Sequence, residues 1–403
     1  MCVDQQLFHS GVRGRADTYK KNAKDTNASK MSPKTQEARV ISEALKGQTI
    51  HVPNLYSILK GWPVKANVNY ERLVPVVEDA FDRQSPNLRE KYRRADYARF
   101  VSLYYPHPEW DRVQTLALYI IWLFCWDDAI DQQGTVDLSN NLLRAKTRRD
   151  NTIRVLEYVL GLAPKFGSDT QFSQADYELK VIGDELKKAY TQEQRQVFMS
   201  QMRRYIGNCH EEQTMRLQGT LPSIESYSEL RHGTAAVWTL CALVESVIQE
   251  IRYSSLVDQY IRFGLSENIS EHIRYMEQIQ TIWSETSRAV WITNDILSLR
   301  KEIPKEGSES VVNAIPIIMK HEGKCPQQAV DALLAELATS VAAFEAAAIG
   351  LEEAADKGER ELLKTYCDAC RCMVTGSILF SLESSRYKLE DCLNEDGSLD
   401  ILL

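Results

Sequence analysis

From Asn69 onward the apolar residues recur three and four positions apart, as in Leu73, Val76, Val77 and Phe81, then Phe100 and Leu103. That spacing lines up one face of an α-helix, whereas a half-buried strand would alternate. Helix breakers are sparse, with 18 Gly and 12 Pro in 403 residues, so the helices run long between interruptions. Breaks are expected at Pro106–Pro108, Gln133–Asp137, Pro164–Ser168, Gly219–Ser223, Pro304–Ser308 and Gly323–Pro326. None is long enough for a domain linker, and no fixed-period repeat marks a helical solenoid. The expectation is an all-α, single-domain helical bundle over residues 51–403. Residues 1–50, rich in Lys, Arg, Asn, Ser and Thr and without apolar periodicity, read as a poorly ordered extension.

Composition narrows the function. A net charge of -8 with no basic stripe beyond the N-terminal segment argues against a nucleic-acid partner, so any bound anion must be held by local groups. Nine cysteines without a secretory signal point to reduced thiols and a cytoplasmic location. Cys367, Cys370 and Cys372 are spaced like half of a zinc site, but no second pair follows and the segment is helical, so they read as core. The apolar run Thr115–Trp126 is shorter than the roughly 20 residues a membrane span needs. It reads as a buried helix, and no stable membrane association is expected.

That run ends in Asp127, Asp128 and Asp131. On a helix, Asp127 and Asp131 project from the same face one turn apart, repel one another, and sit at the end where the macrodipole disfavours anions. Something cationic must compensate. Because Tyr119–Trp126 is apolar all round, the acidic end opens into a cleft, where carboxylates suit Mg²⁺ bound jointly with phosphate oxygens. Taken alone, a solvated acidic helix end explains the pattern as well.

A second stripe changes the balance. Asn294, Ser298 and Glu302 are four residues apart, giving an amide, a hydroxyl and a carboxylate in one line on a helix whose other positions, Ile296, Leu297 and Leu299, are apolar. A buried polar line without a partner would be costly. Two such stripes on separate helices are what a bundle needs to clamp metal across its mouth.

With both motifs in place, the chain resembles a class I terpene synthase of the single-domain microbial type. Asp127 to Asp131 match that family's DDxxD motif, and Asn294, Ser298 and Glu302 match its NSE motif. The resemblance covers about 350 residues. It implies three Mg²⁺ ions held by Asp127, Asp131, Asn294, Ser298 and Glu302 around the diphosphate of a prenyl substrate. It also implies that Arg231 is the pyrophosphate sensor, with Thr234 and Ala235 as linker and effector. Lys301 is the implied diphosphate-binding lysine, and Arg386 and Tyr387 the implied Arg-Tyr pair, with Arg386 engaging Asp128 on closure. Many relatives carry Gly where this chain has Ala235.

Aromatic rings favour a nearby carbocation by about 0.5 to 2 kcal/mol without quenching it. Family positions point to Phe100, Phe124 and Phe380, and helical phase adds Trp238, seven after Arg231, and Trp291, three before Asn294. Core packing is the competing reading for all five. Segments Gln133–Asp137 and Pro304–Ser308 are the expected lids. The implied activity is a sesquiterpene synthase, monomeric or homodimeric, that ionises C15 farnesyl diphosphate and cyclises the cation. A C20 substrate is the alternative. A chain-elongating prenyltransferase would carry a second aspartate-rich motif, which is absent, and a helical scaffold would be indifferent to Mg²⁺.

Overall fold

The computed structural model describes residues 40–84, 89–131, 138–164, 172, 176–244, 276–303 and 311–403. The helices that build the site are α1 (Tyr70–Gln84), α2 (Arg89–Ala95), α3 (Tyr97–Tyr104), α4 (Trp110–Asp131), α5 (Leu142–Val159), α6 (Tyr177–Ala189), α7 (Gln192–Gln218), α8 (Ile224–Thr234), α9 (Glu277–Glu302), α10 (Ala314–Glu322), α11 (Pro326–Ala354) and α12 (Lys357–Glu383). Two four-residue strands, β1 (Thr49–Val52) and β2 (Leu399–Leu402), pair antiparallel with Ile50 opposite Ile401. The helical expectation holds, with this one small sheet added. It joins segments some 350 residues apart, and strands so short and so distant leave no local signature.

The folded body also begins earlier than residue 51. Residues 40–45 are helical, Leu45 is fully buried, and β1 turns one face, Ile50 and Val52, into the core. Residues 40–50, expected within the extension, are thus part of the described body.

Helix α9 is the axis of the core. It buries Ile282, Val290, Trp291, Ile296, Leu297 and Leu299 on several sides and packs against α11, α12 and α8. Helix α4 is apolar all round and mostly buried, which explains why its hydrophobic run is continuous and not striped. At 22 residues it is long and apolar enough to cross a membrane, as is α11, but most of α4 lies inside the protein.

Local chemistry sets the helix ends that matter for the site. Thr191 and Gln194 form a reciprocal capping box at the start of α7, and Gly219 closes its end at φ 64°. Ser223 caps α8 by accepting from the Ser226 amide. Gly233 lets α8 lie against α7, since a Cβ there would stand 2.2 Å from the Asn208 side chain. After Thr234 the helix breaks, Ala236 takes φ 59°, and a new helical stretch covers residues 237–244. Holding a non-glycine residue in that left-handed region costs about 1 kcal/mol.

Candidate active site

One cavity of about 410 Å³ opens between α3, α4, α7, α8, α9 and the segment after α12. Phe100, Tyr104, Ile120, Leu123, Phe124, Leu240, Val290 and Trp291 supply apolar wall, while Asp127, Glu212, Arg216, Arg231, Asn294, Lys301, Glu302, Arg386 and Tyr387 supply polar wall.

The two aspartates at the end of α4 face different neighbours. Asp127 lines the cavity and accepts a hydrogen bond from the Tyr205 hydroxyl at 3.0 Å. Burial, then the charges of Asp128 and Glu212, push its carboxyl well above the usual carboxylate range. Asp128 is buried and accepts from the Tyr92 hydroxyl at 2.9 Å and from Lys91 Nζ at 3.3 Å. Arg386 Nη2 lies 3.7 Å from Asp128 Oδ1, an ion-pair distance. Arg386 also donates to the Tyr97 hydroxyl at 3.0 Å, and its guanidinium sits 5.7 Å over the Phe124 ring. Asp131 is the last residue of α4; its side chain lies outside the described residues, as do the expected lids within 132–137 and 304–308.

On α9 the polar stripe is held from both sides. Asn294 Oδ1 accepts from Arg231 Nη2 at 3.2 Å, and its Nδ2 donates to the Tyr387 hydroxyl at 3.1 Å. Glu302 accepts from Asn313 Nδ2 at 3.0 Å, and Asn313 is itself the N-cap of α10. Ser298 lies between them, fully buried, and its Oγ has no hydrogen-bond partner among the described residues. Lys301 Nζ stands 4.5 Å over the Tyr387 ring. Arg231 also donates to Thr234 Oγ1 at 3.2 Å, and Thr234 and Ala235 line the cavity beside it.

Asp295, one residue off the stripe, holds Arg231. It accepts from Arg231 Nη2 at 2.9 Å, from the Tyr227 hydroxyl at 2.6 Å and from the Ala314 amide at 2.9 Å. Burial works against the Arg231 charge, but Asp295, Tyr227, Glu212 and Glu302 outweigh it and keep the guanidinium protonated. Burial likewise pushes the Asp295 carboxyl up, while Arg231 and Tyr227 hold it back.

Of the five aromatic candidates, three line the cavity. Phe100 and Phe124 meet edge to face at 5.2 Å, and Trp291 brings a buried indole N–H with no partner among the described residues. Phe380 does not line it; that ring is buried behind Phe100, 5.0 Å away and edge-on. Trp238 is not in the cavity either. It packs 4.5 Å from the Arg204 guanidinium and 5.7 Å from Trp283. The reason is the break at Ala235 and Ala236, which resets the helical phase so that seven residues after Arg231 no longer means the same face.

Sequence reasoning missed Tyr205, Glu212 and Arg216. They fall at spacings of seven and four along α7, a stripe that is detectable once sought, but α7 carries so many polar residues that it resembles a solvated face. It also missed Tyr227, Asp295 and Asn313, which hydrogen-bond the site residues; Asp295 also lines the cavity, and Tyr227 and Asn313 stand behind it.

The polar stripe fits a hard cation. Among the described residues no three of His, Cys, Asp or Glu gather to hold an ion; the stripe residues that line the cavity are Asp127 from α4 and Asn294 and Glu302 from α9, and these would hold one. Ser298, between Asn294 and Glu302 on the same stripe, keeps a buried hydroxyl with no partner among the described residues, and such a hydroxyl is destabilising unless something binds it.

Known proteins resemble this chain in sequence and in fold. The family model described as terpene synthase family 2, C-terminal metal binding, matches residues 118–343, more than half of the chain. The sesquiterpene cyclase hepA of Aspergillus oryzae is 28% identical over 375 residues, covering 89% of this chain and 95% of that protein. The (+)-eremophilene synthase of Gibberella fujikuroi is 25% identical over 345 residues, covering 84% and 88%. In fold, the chain is similar to hedycaryol synthase, with a TM-score of 0.62 at 16% identity over 82% of this chain and 98% of that one. Germacradien-4-ol synthase from Streptomyces citricolor gives 0.62 at 15% identity, covering 80% and 96%.

Proposed function

Because the chain belongs to the terpene synthase family, as a terpene cyclase with that family's all-α fold, we propose that it is a Mg²⁺-dependent sesquiterpene cyclase acting on farnesyl diphosphate. The observation that carries this reading is the division of one cavity into a polar rim and apolar walls. Asp127 and the Asn294, Glu302 pair share that rim with Arg231, Lys301 and Arg386, while Phe100, Phe124, Leu240 and Val290 line the remainder. The C15 assignment is supported by the relatives named as a sesquiterpene cyclase and an eremophilene synthase.

Bound Mg²⁺ would supply Lewis acidity to the diphosphate oxygens, weakening the bond to the allylic carbon. The chain's own groups do the rest. Arg231, fixed by Asp295 and Thr234, and Lys301 and Arg386 stabilise the negative charge that develops on the leaving group. The Tyr387 hydroxyl, already bonded to Asn294, is placed to donate to the same oxygens. Arg386 spans from Asp128 to the Phe124 face, so its docking closes the rim over the aromatic wall and excludes water that would trap the cation. Phe100, Phe124 and Trp291 then face the carbocation, and the walls fix the folded chain for intramolecular attack, where positioning can contribute about 7 to 11 kcal/mol.

The test is to incubate the full chain with C10, C15 and C20 diphosphates in Mg²⁺ and identify volatile products by mass spectrometry. Turnover of the C15 substrate, lost in EDTA and restored by Mg²⁺, is expected. Diphosphate release that persists in EDTA, or preference for another chain length, would refute the assignment.

A further inference from the structure

Four cations reach the cavity wall: Arg216, Arg231, Lys301 and Arg386. Two already have carboxylates, Arg231 with Asp295 at 2.9 Å and Arg386 with Asp128 at 3.7 Å. Lys301 rests over the Tyr387 ring. Arg216 is different. Among the described residues its guanidinium has no carboxylate within 4.0 Å, even though Glu212 precedes it by one turn on α7. Its hydrogen bond among those residues runs from Nη2 to the Ser139 carbonyl at 3.0 Å.

That bond fixes where the guanidinium stands. Gln213, on the same helix, donates to the Ser139 carbonyl at 2.9 Å and to the Leu138 carbonyl at 2.7 Å. Helix α7 thus pins the chain eight residues after Asp131, and the Arg216 head group lies between that pinned backbone and the cavity. One face of the planar fork is used by the carbonyl, and Arg carries five donors, so donors remain for an anion in the cavity. A guanidinium that lines the cavity with Asp127 and Glu212, and has no carboxylate partner among the described residues, has donors to offer an anion there.

We propose that Arg216 is a further leaving-group-binding residue, donating to the diphosphate from the α7 wall, where neither α9 nor the segment after α12 supplies a cation. This rests on the prenyl diphosphate reading above, and it adds a residue to the set drawn from the DDxxD and NSE resemblance. Because the same guanidinium holds the Ser139 carbonyl, it ties the backbone that follows the aspartate motif to the anion. The motif's downstream chain and the leaving group then share one donor.

The experiment uses the full chain with inorganic pyrophosphate and Mg²⁺, followed by intrinsic tryptophan fluorescence, and compares wild type with Arg216→Gln and Arg216→Lys. Loss of one charged donor predicts about a 10-fold or greater loss of pyrophosphate affinity in Arg216→Gln, with partial recovery in Arg216→Lys. The kcat/KM for farnesyl diphosphate should fall in parallel, while the ratio of products stays the same. Wild-type pyrophosphate affinity in Arg216→Gln would overturn the proposal. So would a lowered thermal midpoint with unchanged affinity, since that marks a purely structural tie to Ser139. A wild-type chain that binds pyrophosphate but turns over no prenyl diphosphate would sink the proposed reaction and leave Arg216 to be judged on affinity alone.

Discussion

The C-terminal halves of α4 and α9 both bring oxygen-bearing side chains to one cavity, yet they are built in opposite ways. At the end of α4, two adjacent aspartates divide the work. Asp127 faces the cavity with the Tyr205 hydroxyl as a bonded neighbour, and Asp128 is turned into a cluster of Tyr92, Lys91 and Arg386. Along α9, Asn294, Ser298 and Glu302 share one face of a buried helix, and other residues hold two of them, Arg231 and Tyr387 on Asn294 and Asn313 on Glu302. The α9 end is therefore fixed before anything binds. The α4 end instead gives two neighbouring residues different partners, Asp127 facing the cavity and Asp128 facing Arg386.

The sharpest way to break this comparison is to remove one ligand from each end. Asp127→Ala and Asn294→Ala should each lower kcat/KM for diphosphate release about 1000-fold while circular dichroism stays unchanged. A variant at either end that keeps full turnover in Mg²⁺ would show that end to be dispensable. Next comes the residue that holds the α9 side. Asp295→Ala leaves Arg231 buried without its carboxylate, and chemical denaturation should show a loss of about 3 kcal/mol. Stability equal to wild type would mean that Arg231 finds another partner and is not held by Asp295.

A smaller effect is expected at Asp128→Asn, which keeps the shape of the α4 end and removes the charge facing Arg386. A latch predicts about a 10-fold loss in kcat/KM and more products quenched by water, read by mass spectrometry, with Mg²⁺ affinity unaltered. A loss of Mg²⁺ affinity instead would make Asp128 a ligand and erase the division of labour.

How much of this is legible without coordinates follows from how local each feature is. Asp127, Asn294 and Glu302 announce themselves because the spacing of polar groups and the helical period coincide within one element. Asp295 does not, since its task is defined by Tyr227 and the Ala314 amide, which are brought in from two other helices. Arg216 and Glu212 hide on a helix whose polar residues look solvated until α4 and α9 close the cavity over them. Trp238 misleads for a different reason, because counting by sevens assumes a continuous helix and Ala236 interrupts it at φ 59°. The β1 and β2 pairing is the extreme case, a contact between the two ends of the fold.

Ser298 gives the finest test of the two designs. Its hydroxyl is buried and unbonded among the described residues, whereas Asp127 has Tyr205 and Asn294 has two partners. Replacing a buried unsatisfied hydroxyl by a methyl group removes a desolvation penalty, so Ser298→Ala should raise stability by about 1 kcal/mol in EDTA. The same change deletes a ligand, so stabilisation by Mg²⁺ with pyrophosphate should shrink, because only a ligand that binds the folded state can shift the midpoint. The two effects have opposite sign and separate in a single thermal melt series with and without metal. If Ser298→Ala destabilises the metal-free protein, the hydroxyl has a partner in the fold, and the α9 end is no more open to an ion than the α4 end.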